Sequence, residues 1–224
     1  MSIDTINNNP LLLKKIVEDT KQRSKQYYKD NPDSLIPLFE KELEDLGFAF
    51  EISNQTTAFM PKHKNTILPI AIKYYKIAKE RKKDNEQNHF LQFFFYKGMD
   101  EVIPMLIADY HSPETQDLTR WFISDCLYHI RSLKYVDDYL KIISNQSYGK
   151  NRQMIILLLG KLKVERAVPM LIDLLEDESV RLHAINALGC FKREDFRCHF
   201  ERFQNSEHPG WKKYANAALK KLCN

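Results

Sequence analysis

Two regions of the chain set a thiol near an imidazole, the pairing that makes cysteine nucleophilic when the base can take its proton. Cys126 and His129 stand three residues apart in a segment of helical spacing, so both can point to one side of that helix. No third group is placed to orient the imidazole, and a packed thiol beside a polar-edged histidine is the plainer reading. Cys190, Cys198, His183 and His199 are of the right types for zinc, but seven residues separate the cysteines and no Cys-x-x-Cys knuckle is present. Asp137-Asp138 could serve as a carboxylate pair, or as a solvated cap at the start of a helix. A phosphate-gripping glycine loop, a Gly-x-Ser-x-Gly elbow and a His-Glu zinc motif are all absent. No catalytic residue, metal or cofactor is assigned.

Binding chemistry has a clearer carrier. Arg120, Arg152, Arg181 and Lys212 recur at steps of 32, 29 and 31 residues, each near the start of a helical segment. One reading makes them a stripe of cations about 10 Å apart, the spacing of packed helices, suited to an acidic partner or a phosphate backbone. Lys150, Lys161, Lys163 and Arg166 would add to it. The other reading ties each cation to carboxylates or helix-end carbonyls of neighbouring repeats. Trp121 and Trp211 follow or occupy the same slot and could stack on a base or sugar, or pack between repeats.

The elements that must position these residues announce themselves as copies. Leu35-Ile36-Pro37-Leu38-Phe39, Ile67-Leu68-Pro69-Ile70-Ala71, Val102-Ile103-Pro104-Met105-Leu106, Tyr135-Val136-Asp137-Asp138-Tyr139 and Ala167-Val168-Pro169-Met170-Leu171 share one pattern. Their third positions are 32, 35, 33 and 32 residues apart, the length of two helices and two turns. A first helix is expected from Pro10 to about Lys29, a second from Leu35 to Leu46 closed by Gly47, and further helices over 66–82 and 86–97. Residues 48–65 lose the helical period and read as a long loop with a short hairpin. The aromatic run Phe90–Tyr96 is apolar on nearly every side and predicts a buried helix. From Asp100, shorter helices fall near 101–110, 135–143, 166–175 and 195–203, and longer ones near 117–131, 150–161, 179–189 and 210–222.

The stretch Leu158-Leu159-Gly160-Lys161-Leu162, then Ala167-Val168-Pro169-Met170-Leu171 through Asp177-Glu178-Ser179-Val180-Arg181, then Ala184-Ile185-Asn186-Ala187-Leu188-Gly189, resembles the HEAT-like repeats. It is closest to their shorter variety, first described in phycobilisome lyases. The resemblance is strong over 150–222, fair over 100–145 and carried only by proline spacing before that. It implies an all-α, right-handed α-α superhelix, a HEAT-like solenoid, as a single domain over 1–224 with an irregular part (1–99) and regular repeats (100–224). Ala184, Ala187 and Ala218 would sit where helices cross closely, Gly160 and Gly189 would take the left-handed conformation that ends a helix, and the shorter helices would line the concave face. HEAT-like DNA glycosylases share the architecture, but their aromatics and carboxylate on a strongly basic surface find no counterpart here. Nor does anything mark a pigment site of the lyase kind.

Composition agrees with helices throughout: six glycines in 224 residues, and 43% hydrophobic side chains to fill a continuous core. The net charge of +4 is spread as 16 basic and 16 acidic residues over 1–110 against 18 and 14 over 111–224, short of the basic stripe of a dedicated nucleic-acid binder. Four irregularly spaced cysteines make no disulfide framework. The N-terminal residues lack a basic start followed by an apolar stretch, and no apolar run is long enough to span a membrane. The expectation is a cytoplasmic, non-catalytic scaffold or adaptor, regulatory or immunity-type, with a protein partner. The alternative is a nucleic-acid-binding protein or HEAT-like DNA repair enzyme using a basic concave face.

Overall fold

The computed structural model describes residue 22 and residues 25–48 and 52–222, the last with side chains from Met60 onward. Among the described residues there are helices and turns and no strand. The chain folds as two units, residues 1–93 and 94–224. Most of the expected first helix lies outside the described residues; its end, 25–30, is helical.

The first unit contains α1 (Ile36–Asp45), α2 (Ile52–Glu80) and α3 (Asp84–Leu91). Pro37 begins α1, where its missing N–H costs nothing, and Gly47 follows its end at φ +85. Buried Glu86 on α3 accepts the Leu35 N–H with both carboxylate oxygens, at 3.2 and 3.1 Å, so a side chain distant in sequence fixes where α1 starts. Phe39 centres the core: its ring lies 5.6, 5.2 and 4.9 Å from those of Tyr74, Phe90 and Phe93, all edge-on. The aromatic run is thus core material, although α3 stops at Leu91 and continues as a 3-10 turn.

Two expectations fail in this unit. Residues 52–65 are not a loop or hairpin but the first part of α2, which bends at His63 (φ −118, ψ 19). The alternation of Phe48, Phe50 and Ile52 is too short to set a strand, and no glycine interrupts the run from Ile52 to Lys62. Pro61 and the bend at His63 then separate two helical runs. Pro69 does not open a helix as its copies do; it lies inside α2.

The second unit is a regular series. The expected shorter series, α4 (Ile103–His111), α6 (Val136–Ser144), α8 (Val168–Asp173) and α10 (Arg197–Glu201), alternates with the expected longer series, α5 (Asp117–Ile130), α7 (Gln153–Lys161), α9 (Arg181–Leu188) and α11 (Pro209–Leu222), although α6 and α7 are both 9 residues long and α9 is 8. Pro104 and Pro169 lie in the first turns of α4 and α8. Each shorter helix packs on the longer one that follows it, and the longer ones pack in sequence, α5 on α7, α7 on α9, α9 on α11. The core runs through Ile123, Leu127, Ile155, Ile156, Leu159, Ala184, Ile185 and Leu188.

The close approach of the longer helices explains their small residues. A Cβ on Gly160 would stand 2.4 Å from Ala187 Cα, and one on Gly189 3.1 Å from Ala218 Cβ. Neither glycine is left-handed, against expectation. The left-handed positions after α5, α7 and α9 belong to Arg131 (φ 60), Lys163 (φ 51) and Lys192 (φ 56), each of which costs roughly 1 kcal/mol that glycine would avoid. The sequence hid this because Gly160 and Gly189 stand one turn too early.

Repeats are stitched along both edges. Beside the starts of the shorter helices, Lys134 pairs with Asp100 at 3.0 Å, Arg166 with Asp137 at 2.8 Å and Arg193 with Glu165 at 2.8 Å. Each acid thus meets a cation of the following repeat. Along the longer helices, the side facing the next repeat carries Gln153, Ile156 and Gly160 on α7, and Leu182, Ile185 and Gly189 on α9; in the same register α11 carries Lys213, Asn216 and Lys220.

Candidate functional site

The basic slot is where sequence pointed, and three of its four cations are turned onto backbone. Arg120 donates from Nε to Tyr110 O (2.9 Å) and from Nη2 to Ser112 O (3.1 Å), and meets Asp117 at 2.9 Å. Arg152, 1 % exposed, donates to Ile143 O and Gly149 O at 3.1 Å each and forms an ion pair with Asp177. Arg181 donates to Leu175 O (2.6 Å) and Glu176 O (3.1 Å). Tyr110, Ile143 and Leu175 are 33 and 32 residues apart, so each arginine serves the end of the shorter helix in its own repeat. Those carbonyls have no partner within their helix, and a planar fork can reach two at once. Lys212 breaks the series: its side chain is exposed on α11.

Turns between the two helices of a pair show the same economy of parts. Asp177 Oδ1 accepts the Ser179 N–H at 3.0 Å and the Ser179 hydroxyl at 2.6 Å, while Oδ2 receives Arg152. Burial pushes the Asp177 carboxyl up, but the Ser179 and Arg152 donors outweigh it and hold it below the usual carboxylate range. Asn145 caps its turn likewise, accepting from Ser147 N–H at 3.0 Å. Asn151 donates to Asp117 at 2.9 Å across 34 residues, joining α5 to the turn before α7.

The two tryptophans separate. Both are half-buried, but Trp211 has more partners: its ring stacks on His208 at 4.4 Å, meets Phe203 edge-on at 6.2 Å and lies 4.4 Å from the Arg181 guanidinium. Trp121 is half-buried, edge-on to Phe122, with Leu118 beside it 57 % exposed. Met154 and Leu157 on α7 and Leu182 on α9 are also half-buried. Leu118, Trp121, Met154 and Leu157 therefore leave apolar surface on α5 and α7, whereas Leu182 packs toward Gly210 of α11.

The candidate chemistry does not assemble. Cys126 is fully buried, which pushes its thiol well up, with Asp125 adding to the shift; His129 pairs instead with Asp125, at 3.3 Å to the carboxylate. Cys190 donates to Asn186 O and Cys198 is exposed. No group of three or more His, Cys, Asp or Glu among the described residues could hold a metal ion. Asp137 and Asp138 lie in the first turn of α6, paired with Arg166 and Lys141. Of the added cations, Lys161 reaches the Tyr128 hydroxyl (3.2 Å), Arg166 reaches Asp137, and Lys150 and Lys163 are exposed.

Sequence reasoning missed an aromatic cluster around Arg120. Its guanidinium lies 5.9 and 5.5 Å from the rings of Tyr110 and Tyr148, which meet edge-on at 5.0 Å, and the Tyr148 hydroxyl hydrogen-bonds His111 Nδ1 at 2.7 Å. Tyr148 sits in a 3-10 turn, outside any periodic pattern that could have linked it to α4.

No helix of the described residues is long and apolar enough to cross a membrane. No curated protein and no solved structure matches the chain. A family profile does: HEAT repeats match residues 136–219, the span from the start of α6 into α11. The stacked helix pairs, the proline opening α8 and the Val180-Arg181 start of α9 lie inside that span, and over it the chain is similar to HEAT repeats.

Proposed function

We propose that this protein is a non-catalytic protein-interaction scaffold or adaptor, of the regulatory or immunity-type kind, working in the cytoplasm. HEAT repeats commonly mediate protein–protein interaction, and stacked repeats offer an extended face to a partner. The helix pairs of residues 94–224 are taken to wind as a right-handed α-α superhelix of the short, phycobilisome-lyase-type variety. Its inner layer is assigned to the longer helices, which pack on one another, rather than to the shorter ones.

The observation that carries the reading is the fate of the basic slot. Arg120, Arg152 and Arg181 spend their donors on helix-end carbonyls, which leaves little for phosphates, while the neighbouring surface of Leu118, Trp121, Met154 and Leu157 is apolar. Partner binding is accordingly placed at Trp121 and its apolar neighbours, with Lys212 at the rim; Trp211, Arg120, Arg152 and Arg181 hold the frame. The alternative, nucleic-acid binding or base repair, would need those arginines released.

Affinity capture from the native host tests this. One protein should be recovered in stoichiometric amount, and a Leu118→Asp, Leu157→Asp double variant that folds normally should lose it. Tight, salt-dependent binding of duplex DNA that disappears on charge removal at Arg120 would reverse the assignment.

A further inference from the structure

All four non-glycine residues with positive φ among the described residues are cations: Lys82, Arg131, Lys163 and Lys192. Three of them occupy one repeat position in the second unit, one, two and four residues past the ends of α5, α7 and α9, at steps of 32 and 29 residues. Glycine is available to this chain for such turns, as Gly47 and Gly98 show at φ +85 and +84. Strain that repeats in register, always with a long cationic side chain, calls for a use of that side chain.

Their surroundings point the same way. The acids along this edge are already engaged: Asp100 by Lys134, Asp137 by Arg166, Glu165 by Arg193, and Glu194 by Arg197. Arg131, Lys163 and Lys192 take part in no ion pair among the described residues. Lys163 and Lys192 are exposed, and Arg131 keeps a buried Nε without an acceptor. The local acids remain in place between the cations, a pattern that disfavours the unbroken negative charge of a nucleic-acid backbone.

We infer that Arg131, Lys163 and Lys192 form a docking edge for an extended acidic segment of a protein partner, with carboxylates at every third residue. The argument is one of length. Packed neighbouring helices are about 8–10 Å apart, so the three cations repeat at about that distance. A polyproline II strand has three residues per turn and rises about 3.1 Å per residue, so its i, i+3 and i+6 side chains share one face about 9.3 Å apart. This edge is distinct from the apolar surface of α5 and α7; it rests on the scaffold reading only in taking the partner to be a protein.

The test uses the full chain and a proline-rich peptide with glutamate at every third position, beside a peptide of equal composition with its glutamates clustered and an oligothymidine of equal charge. The every-third peptide should bind best, and the triple variant Arg131→Gly, Lys163→Gly, Lys192→Gly should weaken it on the order of tenfold while raising the thermal midpoint. Equal binding of both peptides, tighter binding of the oligonucleotide, or undiminished affinity in the triple variant would each overturn the proposal. Loss at Leu118→Asp, Leu157→Asp with the peptide still bound separates this edge from that surface.

Discussion

Arg152 is the side chain on which the middle of the repeat series turns. Its fork binds two backbone carbonyls and the Asp177 carboxylate from a site 1 % exposed. Truncation leaves a half-buried carboxylate and two carbonyls without donors. Arg152→Ala should therefore lower unfolding stability by about 3 kcal/mol in urea titration, and Arg152→Lys should recover little because an ammonium cannot span the same three acceptors. Glu40 makes the opposite kind of contribution. Burial raises its carboxyl to about 7 although it accepts a hydrogen bond from the Tyr28 hydroxyl. The folded state thus holds a proton that the unfolded chain releases near 4.5, so the stabilising effect is complete below that pH and is lost as pH rises through about 7. Glu40→Gln should flatten the thermal midpoint between pH 5 and 8, with its gain over the parent largest at pH 8.

At the level of elements, α7 crosses α9 with backbone close against Gly160. Alanine at Gly160 would meet backbone at 2.4 Å, which no side-chain adjustment relieves, whereas alanine at Gly189 would meet a methyl at 3.1 Å. Gly160→Ala should cost about 2–3 kcal/mol and Gly189→Ala about 1 kcal/mol, read from paired denaturant curves. These glycines also show how far the sequence is legible. Proline spacing and apolar periodicity yield the helix alternation after Asp100, because both are local properties of the chain. What a glycine is for is not local: Gly160 looks like a helix terminator until Ala187 is brought against it. Residues 48–65 mislead for a related reason, since three alternating apolar residues mimic a strand where the following ten carry helix. The arginine slot is legible as a pattern, but its purpose depends on which carbonyls lie within reach.

Over the whole second unit, repeats are joined by nearest-neighbour contacts: small-residue crossings, the Arg152–Asp177 pair and the acid–cation pairs of the opposite edge. A repeat face that meets no successor stays soluble when it is polar. On α11, Lys213, Asn216 and Lys220 stand in the register where α9 uses Leu182, Ile185 and Gly189 to meet its successor. Replacing them together by leucine, isoleucine and glycine should increase self-association over the parent chain in sedimentation velocity, with little change in helical content.

That polar side also dictates how the protein could be lengthened. A helix pair spliced in ahead of Glu194 would find matched apolar partners before and behind it, whereas one appended beyond Leu222 would be laid against lysines. Growth by duplication is therefore favoured ahead of Glu194 and opposed on the polar side of α11.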